Sequence, residues 1–330
     1  MSQKRSMVKN RDIIVFGSTG FVGTNLYNEL KKLGANVYAL SRHKSRSGNA
    51  MDLGNEGYFD YNQLSYMFSG LENVIVINLA ADCGGIGYNK DNGIKLYINN
   101  TKIIYNVFEV CRRYKVSKLI NIGTVCSYPK VPPRLPFLEE DIWKGYPEET
   151  NAPYGIAKRS ALMLSNLYKE VYGLDSINLI MANMYGEHDH FGDNAHVIPH
   201  MIKKMHAVKD TRGDEVVLWG SGKPTRDFLY VKDAVNIIIK VIEADYDSTS
   251  PVNVGTGIET PICMLSYHIA KALNFKSDIL WDSTKPDGQV RRVLDITKLK
   301  SIIGGYQFMD IEEGLKRTVK WYEKSIVKEK

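Results

Sequence analysis

The 330-residue sequence predicts an α/β protein: a doubly wound parallel sheet followed by a smaller mixed α/β lobe. Two observations predict it. Short β-branched apolar runs alternate with helical patterns over residues 12–185, as successive βαβ units require. The first run leads straight into Gly17-x-x-Gly20-x-x-Gly23 at the start of a helix, the strand–turn–helix setting of a Rossmann-type nucleotide loop.

In order, residues 12–16 read as a short buried strand, and the helix after the glycines runs to about residue 33. A second strand covers 36–40. Strands at 74–79 and 118–122 flank a helix over 97–114, and a helix over 154–172 precedes a strand at 177–181. From residue 186 the order loosens into shorter elements near 199–206, 216–219, 231–244 and 311–324. The predicted domains are a basic tail (1–11), an NADP-binding Rossmann domain (12–185) and a mainly substrate-binding lobe (186–330). Segments are free to cross between the last two. The lobe is expected over the carboxyl ends of the strands, where open α/β sheets bind ligands.

The chain is 44% hydrophobic and 24% charged, a composition that excludes disorder. Of its net charge of +6, Lys4, Arg5, Lys9 and Arg11 supply four before any acid occurs. A basic tail on a nearly balanced body is a poor nucleic-acid footprint, so no nucleic-acid partner is expected. The longest apolar stretch, 74–81 with Asn78 inside it, falls far short of the ~20 residues of a membrane helix. The run 13–17 is shorter than the ~7–15 residues of a secretion-signal core. Cys83, Cys111, Cys126 and Cys263 form no CxxC pair or metal-like spacing. A reduced, cytoplasmic chain without a membrane span is the expectation.

Three groups of residues carry chemistry. Glycines at 17, 20 and 23 allow a tight turn and close approach of a pyrophosphate to a helix N-terminus. At the end of the second strand, where NAD enzymes usually place a carboxylate for the ribose, stand Ser41 and Arg42, with Lys44 and Arg46 nearby. That favours a 2′-phosphate, hence NADP over NAD; Asp52 is a contact for the adenine end. In Tyr154-Gly-Ile-Ala-Lys158 the i,i+4 spacing puts both side chains on one helix face. A lysine there is expected to lower the phenol toward working pH, suiting proton transfer at a sugar oxygen, with Thr124 orienting the same oxygen.

These residues resemble the extended short-chain dehydrogenase/reductase family, over nearly the whole chain. Within it the likeness is to the GDP-L-fucose synthases, which are GDP-4-keto-6-deoxymannose 3,5-epimerase/4-reductases. It is carried by Ala81-Asp-Cys-Gly84-Gly85-Ile86, Gly123-Thr-Val-Cys126-Ser-Tyr-Pro129, Asn183-Met-Tyr185-Gly186, Ala195-His196-Val-Ile-Pro199, Trp219-Gly-Ser-Gly-Lys-Pro-Thr-Arg226-Asp-Phe228 and Lys285-Pro-Asp-Gly288. The resemblance implies that Cys126 and His196 invert C3 and C5 of a GDP-linked 4-keto sugar, and that Tyr154 and Lys158 serve the reduction of C4 by NADPH. It extends the cofactor site to Thr19, Phe21, Val22, Leu53, Ala80, Ala81, Asn183 and Met184. It places Asn183, His196, Val197, Lys204, Trp219, Arg226 and Lys285 on the substrate side. No metal is implied, and His188, His190, His200 and His206 read as surface or rim residues. Homodimers are implied, through the helices at 97–114 and 154–172.

The sequence departs from the pattern at three places. Threonine replaces the usual serine at Thr124, the glycine loop has neutral Ser18 and Thr19, and the Gly192-Asp193 segment is one residue short. Residues 80–88 are also similar to GDP-mannose 3,5-epimerase. A redox-neutral epimerase with bound NAD therefore stays open, as does a non-catalytic NADP-binding regulator.

Overall fold

The computed structural model describes residues 8–42, 48–50, 53, 61–209, 215–285 and 287–329. The first half runs β1 (Asp12–Phe16), α1 (Phe21–Lys32), β2 (Asn36–Ser41), β3 (Gly48–Ala50), α2 (Tyr61–Phe68), β4 (Ile75–Asn78), α3 (Ile86–Asp91), α4 (Gly93–Arg113), β5 (Lys118–Thr124), α5 (Ala152–Tyr172) and β6 (Ser176–Met181). Shorter pieces follow: β7 (Asn183–Tyr185), α6 (Val197–Val208), β8 (Val216–Trp219), β9 (Thr225–Arg226), β10 (Phe228–Tyr230) and α7 (Val231–Glu243). The chain ends with β11 (Val252–Val254), β12 (Thr260–Pro261), α8 (Ile262–Leu273), β13 (Ile279–Asp282), β14 (Arg291–Arg292), α9 (Thr297–Ile303) and α10 (Ile311–Glu329).

The main sheet has the order β11-β6-β5-β4-β1-β2-β3, and every pair in it is parallel. Strands of such a sheet are covered on both faces, which is why their sequences are almost continuously apolar. The pleat sorts them. Ile13 and Val15 join Leu26 and Leu30 of α1 and the apolar face of α7. Ile14 and Phe16 join Ile104, Val107 and Phe108 of α4 and Ala161 of α5 on the other face. β11 and α7 belong to this layer although both lie beyond residue 185. A third core, with Tyr185, Ile198, Met205, Ile269 of α8 and Leu315 of α10, holds the remaining lobe together.

The helix α8 has no counterpart in the sequence reading, yet Leu265, Ile269 and Leu273 form its buried face at four-residue spacing. Asn274, in the left-handed conformation, ends it. Helix α5 starts two residues earlier than predicted, with a proline in its first turn, and Gly173 ends it at φ +70°. No helix among the described residues is long and apolar enough to cross a membrane.

The order of the sheet fixes where a ligand fits. β2 and β3 lie on one side of β1, and β4, β5 and β6 on the other. The loops leaving β1 and β4 therefore diverge, opening a crevice at their carboxyl ends.

Candidate active site

The loop after β1 is held open by its glycines. Gly17 turns at φ +79°, and a Cβ there would lie 2.8 Å from the backbone nitrogen of Ala80, in the loop after β4. At Gly23 a Cβ would meet the Gly17 carbonyl oxygen at 2.1 Å, so helix and loop pack backbone to backbone. Gly20, between them, is exposed and faces only the Gly17 oxygen at 3.3 Å. Ser18 is turned inward, its hydroxyl and amide both donating to Leu40 at the end of β2. Helix α1 begins with no acid in its first turn and no side-chain cap on Gly20. Its first N–H groups thus face a cradle that fits a dinucleotide pyrophosphate and that a methyl at Gly17 or Gly23 would destroy.

Around this cradle Thr19 and Arg42 are exposed, Ser41 is buried at the end of β2, and Ala80 and Ala81 are half-buried after β4. Phe21 and Met184 pack partly into the core, as Val22 does fully. Leu53, expected at the cofactor site, is buried, with its side chain in the core beside Leu40 and Leu64. Its carbonyl accepts from Asn106 Nδ2 at 2.8 Å. Asp52, Lys44 and Arg46 lie outside the described residues. Asn183, opening β7, donates from both its amide and its side chain to the Asp227 carbonyl.

The reactive groups gather beside the cradle. Thr124 ends β5, and its hydroxyl accepts from the Cys126 amide at 3.2 Å, shaping the turn that presents Cys126. Helix α5 presses on that turn: a Cβ on Gly155 would lie 2.3 Å from the Cys126 carbonyl oxygen. A glycine beside Tyr154 is therefore what lets Tyr154 approach Cys126. Ser127 Oγ donates back to the Gly155 carbonyl, and Arg159 clamps Ser127 and Gly145 through their carbonyls.

Tyr154 does not behave as the i,i+4 spacing predicted. Burial raises its phenol well above the usual value, and the thiols of Cys83 and Cys126 add to this; a hydrogen bond to Thr124 opposes them. The Lys158 ammonium donates to the Ile122 carbonyl at 3.0 Å and sits 6.0 Å from the Tyr154 ring centroid. Burial pulls Lys158 itself down to about 8. The arrangement keeps a protonated phenol at neutral pH, an acid rather than a base.

His196 caps α6 without a side-chain hydrogen bond, and its ring is exposed. Surrounding protein nonetheless lowers its imidazole below the ordinary value, with His190 adding to the effect. The segment before it rests on the cleft wall: Gly85 donates to the Asn194 carbonyl at 2.9 Å, and a Cβ on Gly85 would meet the Ala195 oxygen at 2.4 Å. Val197 starts α6 half-buried.

On the second lobe, burial and then Arg292 pull Arg226 down to about 9, which leaves it charged at neutral pH. Two guanidinium groups so placed attract an anion. Trp219 is 51% exposed, with the Lys285 ammonium 5.6 Å from its ring centroid. Lys204 donates to the Val217 carbonyl on the same strand as Trp219. His188 packs against Trp321 and His206 against Tyr322. No group of three His, Cys, Asp or Glu side chains gathers as metal ligands among the described residues.

Residues 13–255 match the sequence profile of the NAD dependent epimerase/dehydratase family. The chain belongs to this family. It is 32% identical over 326 residues to the GDP-L-fucose synthase of Escherichia coli (strain K12), covering 96% of this chain and 97% of that one. It is also 32% identical over 249 residues to the GDP-L-colitose synthase of Yersinia pseudotuberculosis, covering 75% and 80%. The crystal structure of a GDP-L-fucose synthetase from Naegleria fowleri matches with a TM-score of 0.81 and 25% identity, over 98% of this chain and 96% of that one. As a member of the epimerase/dehydratase family, the chain is a nicotinamide-dependent enzyme.

Three residues of the site escaped the sequence reading. Cys83 lies among Lys158, Tyr154 and Cys126, where the protein around its thiol pushes it up while Lys158 pulls it back. It stands inside Ala81-Asp-Cys-Gly84, so its place in a recognised segment was the available signal. Asp189 is buried beside it with one carboxyl oxygen unpartnered, and burial raises that carboxyl to about 7. Arg292 reaches Cys126 from 166 residues away, and nothing local in the sequence marks it.

Proposed function

We propose that this enzyme is an NADPH-dependent nucleotide-sugar 3,5-epimerase/4-reductase acting on a GDP-4-keto-6-deoxy sugar, with GDP-L-fucose or a 6-deoxyheptose analogue as product. One observation carries the reading: α5 packs at Gly155 directly against the Cys126 turn, which sets the Tyr154 phenol and the Cys126 thiol side by side.

The 4-ketone of such a sugar acidifies the C–H bonds at C3 and C5. Cys126 and His196 take and return those protons from the two faces of the ring. Crowding that holds His196 neutral suits it to accept one. Gly17–Gly23 would hold the pyrophosphate of NADPH, whose nicotinamide would supply the hydride for C4. Tyr154 then gives its phenolic proton to the C4 oxygen, which the Thr124 hydroxyl helps to orient. Lys158, anchored on Ile122, places a positive charge under the same oxygen and the ribose. Arg226, aided by Lys285, meets the diphosphate, and Trp219 covers the sugar or base. An exposed Arg42 beside Ser41, with no carboxylate ending β2, favours the 2′-phosphate of NADP over NAD. We also propose that two copies associate through α4 and α5.

The deciding experiment is incubation with GDP-4-keto-6-deoxymannose and either NADPH or NADH, following nicotinamide absorbance and the product sugar. Oxidation of NADPH with inversion at C3 and C5 is expected. Deuterium exchange at C5 without any NADPH oxidation would move the assignment to a redox-neutral epimerase.

A further inference from the structure

Arg292 is a buried cation whose surroundings call for an explanation. It closes β14, paired in register with Arg226 on β9, and its side chain is buried. Among the described residues no carboxylate lies within ion-pair distance of it, although its charge reaches Arg226 and Glu148. Its Nε donates to Gln289 Oε1 at 3.1 Å, and its Nη1 donates to the sulfur of Cys126 at 3.4 Å. Gln289 is itself fixed, donating to the Pro129 and Lys130 carbonyls at 3.1 and 2.9 Å. Those carbonyls belong to the segment that continues from the Cys126 turn. A buried guanidinium is costly to desolvate, and here its rigid fork is spread between one glutamine and one thiol.

Building on the epimerase reading above, we propose that Arg292 is a positioning residue for Cys126. It aims the sulfur into the cleft and steadies the negative charge the sulfur carries once its proton has left. In the exchange step the thiolate takes a C–H proton from the carbon next to the ketone, giving a thiol and an enolate. The electron pair of that C–H bond stays on the sugar, so nothing is oxidised. Donated N–H groups and nearby cations are what favour a cysteine anion. The Thr124 hydroxyl accepts from the Cys126 amide, and among the described residues the hydrogen bond to the sulfur comes from Arg292.

The test uses the full-length protein with R292M, which keeps bulk without charge, and R292K, which keeps charge. Iodoacetamide alkylation of Cys126 is followed peptide by peptide in a mass spectrometer, with exposed Cys263 as the internal reference. R292M is expected to slow alkylation of Cys126 about tenfold, the effect of one charge-assisted hydrogen bond, with most of the rate restored in R292K. Deuterium uptake by the 4-keto sugar from D2O should fall in parallel, while the Kd for NADPH, read by nicotinamide fluorescence, moves less than about twofold. Alkylation of Cys126 at the native rate in R292M would overturn the proposal. So would equal losses of exchange and NADPH affinity, which mark a merely structural role. Should R292M not fold, a folded R292K that alkylates slowly overturns it and one that alkylates at a near-native rate supports it. The alkylation needs no sugar, so it decides the role of Arg292 even if no GDP-4-keto sugar proves to be a substrate.

Discussion

Tyr154 shows how little a motif says about protonation. Its spacing from Lys158 is read from the sequence at once, but the direction of its shift depends on burial and on the thiols of Cys83 and Cys126. Because the phenol is held protonated, Tyr154→Phe removes the proton donor and little else. Turnover should fall roughly 10²–10⁴-fold, with NADPH affinity nearly intact by fluorescence titration. Unaltered turnover would exclude Tyr154 as the acid. Asp189 gives a residue-scale test of stability. Its carboxyl is raised from 3.8 to about 7 by burial, so between those values the native state keeps a proton that the unfolded chain releases. Stability is therefore highest in that respect at low pH and is lost as pH rises toward 7, with no further change above. Asp189→Asn keeps the acceptor for the His190 amide and removes the titration. It should gain on the native protein across this window by on the order of a few kcal/mol in urea unfolding. Parallel stability–pH curves for the two proteins would refute the assignment.

At the level of elements, the site is supported by a polar ladder through the middle of the sheet. Asn78 of β4 donates to Asn121 of β5 at 2.8 Å, Asn121 donates to Asn178 of β6 at 3.0 Å, and Asn178 donates to Ser165 of α5 at 2.7 Å. All three asparagines are essentially unexposed. The Asn78 oxygen also accepts the Ala80 amide, so one chain of bonds joins the cofactor loop to the helix of Tyr154 and Lys158. Asn121→Leu leaves a donor on Asn78 and an acceptor on Asn178 buried and unpaired. A loss of roughly 2–4 kcal/mol in urea unfolding is expected, together with weaker NADPH binding. A loss under about 0.5 kcal/mol would mean that the ladder is incidental. The strands bearing these residues were legible, because buried parallel strands are almost unbroken apolar runs. The ladder was not: its members lie 43 and 57 residues apart and meet only once the register is set. The same reason hid Arg292, whereas Gly155 could be read as part of a helix but not as the gap that admits the Cys126 turn. Helix α8 differs, since its four-residue apolar spacing was present in the sequence and went unused.

For the whole molecule, the question is what covers α4 and α5. These helices pack against each other and bury one face in the sheet, yet both carry a second apolar face outward. On α4 it holds Ile94, Tyr97, Ile98 and Tyr105, with Ile94 81% exposed. On α5 it holds Met163, Leu167 and Val171 at four-residue spacing. Several exposed apolar side chains on two neighbouring helices are unusual on a monomer's surface. The dimer we propose would set this stripe against its copy across a twofold axis, so that one self-complementary contact would cover both as a four-helix layer. The dimer would also brace α5 from outside, at the helix whose first turns carry Tyr154 and Lys158. Native protein is expected to sediment as a dimer at micromolar concentration. Leu167→Lys combined with Ile98→Lys sets charges in the middle of the contact and should give a monomer that still binds NADPH. A native protein that sediments as a monomer, or a double variant that stays dimeric, would show that this stripe is not the contact. The first result would require another explanation for seven outward apolar side chains on two helices that are otherwise correctly patterned.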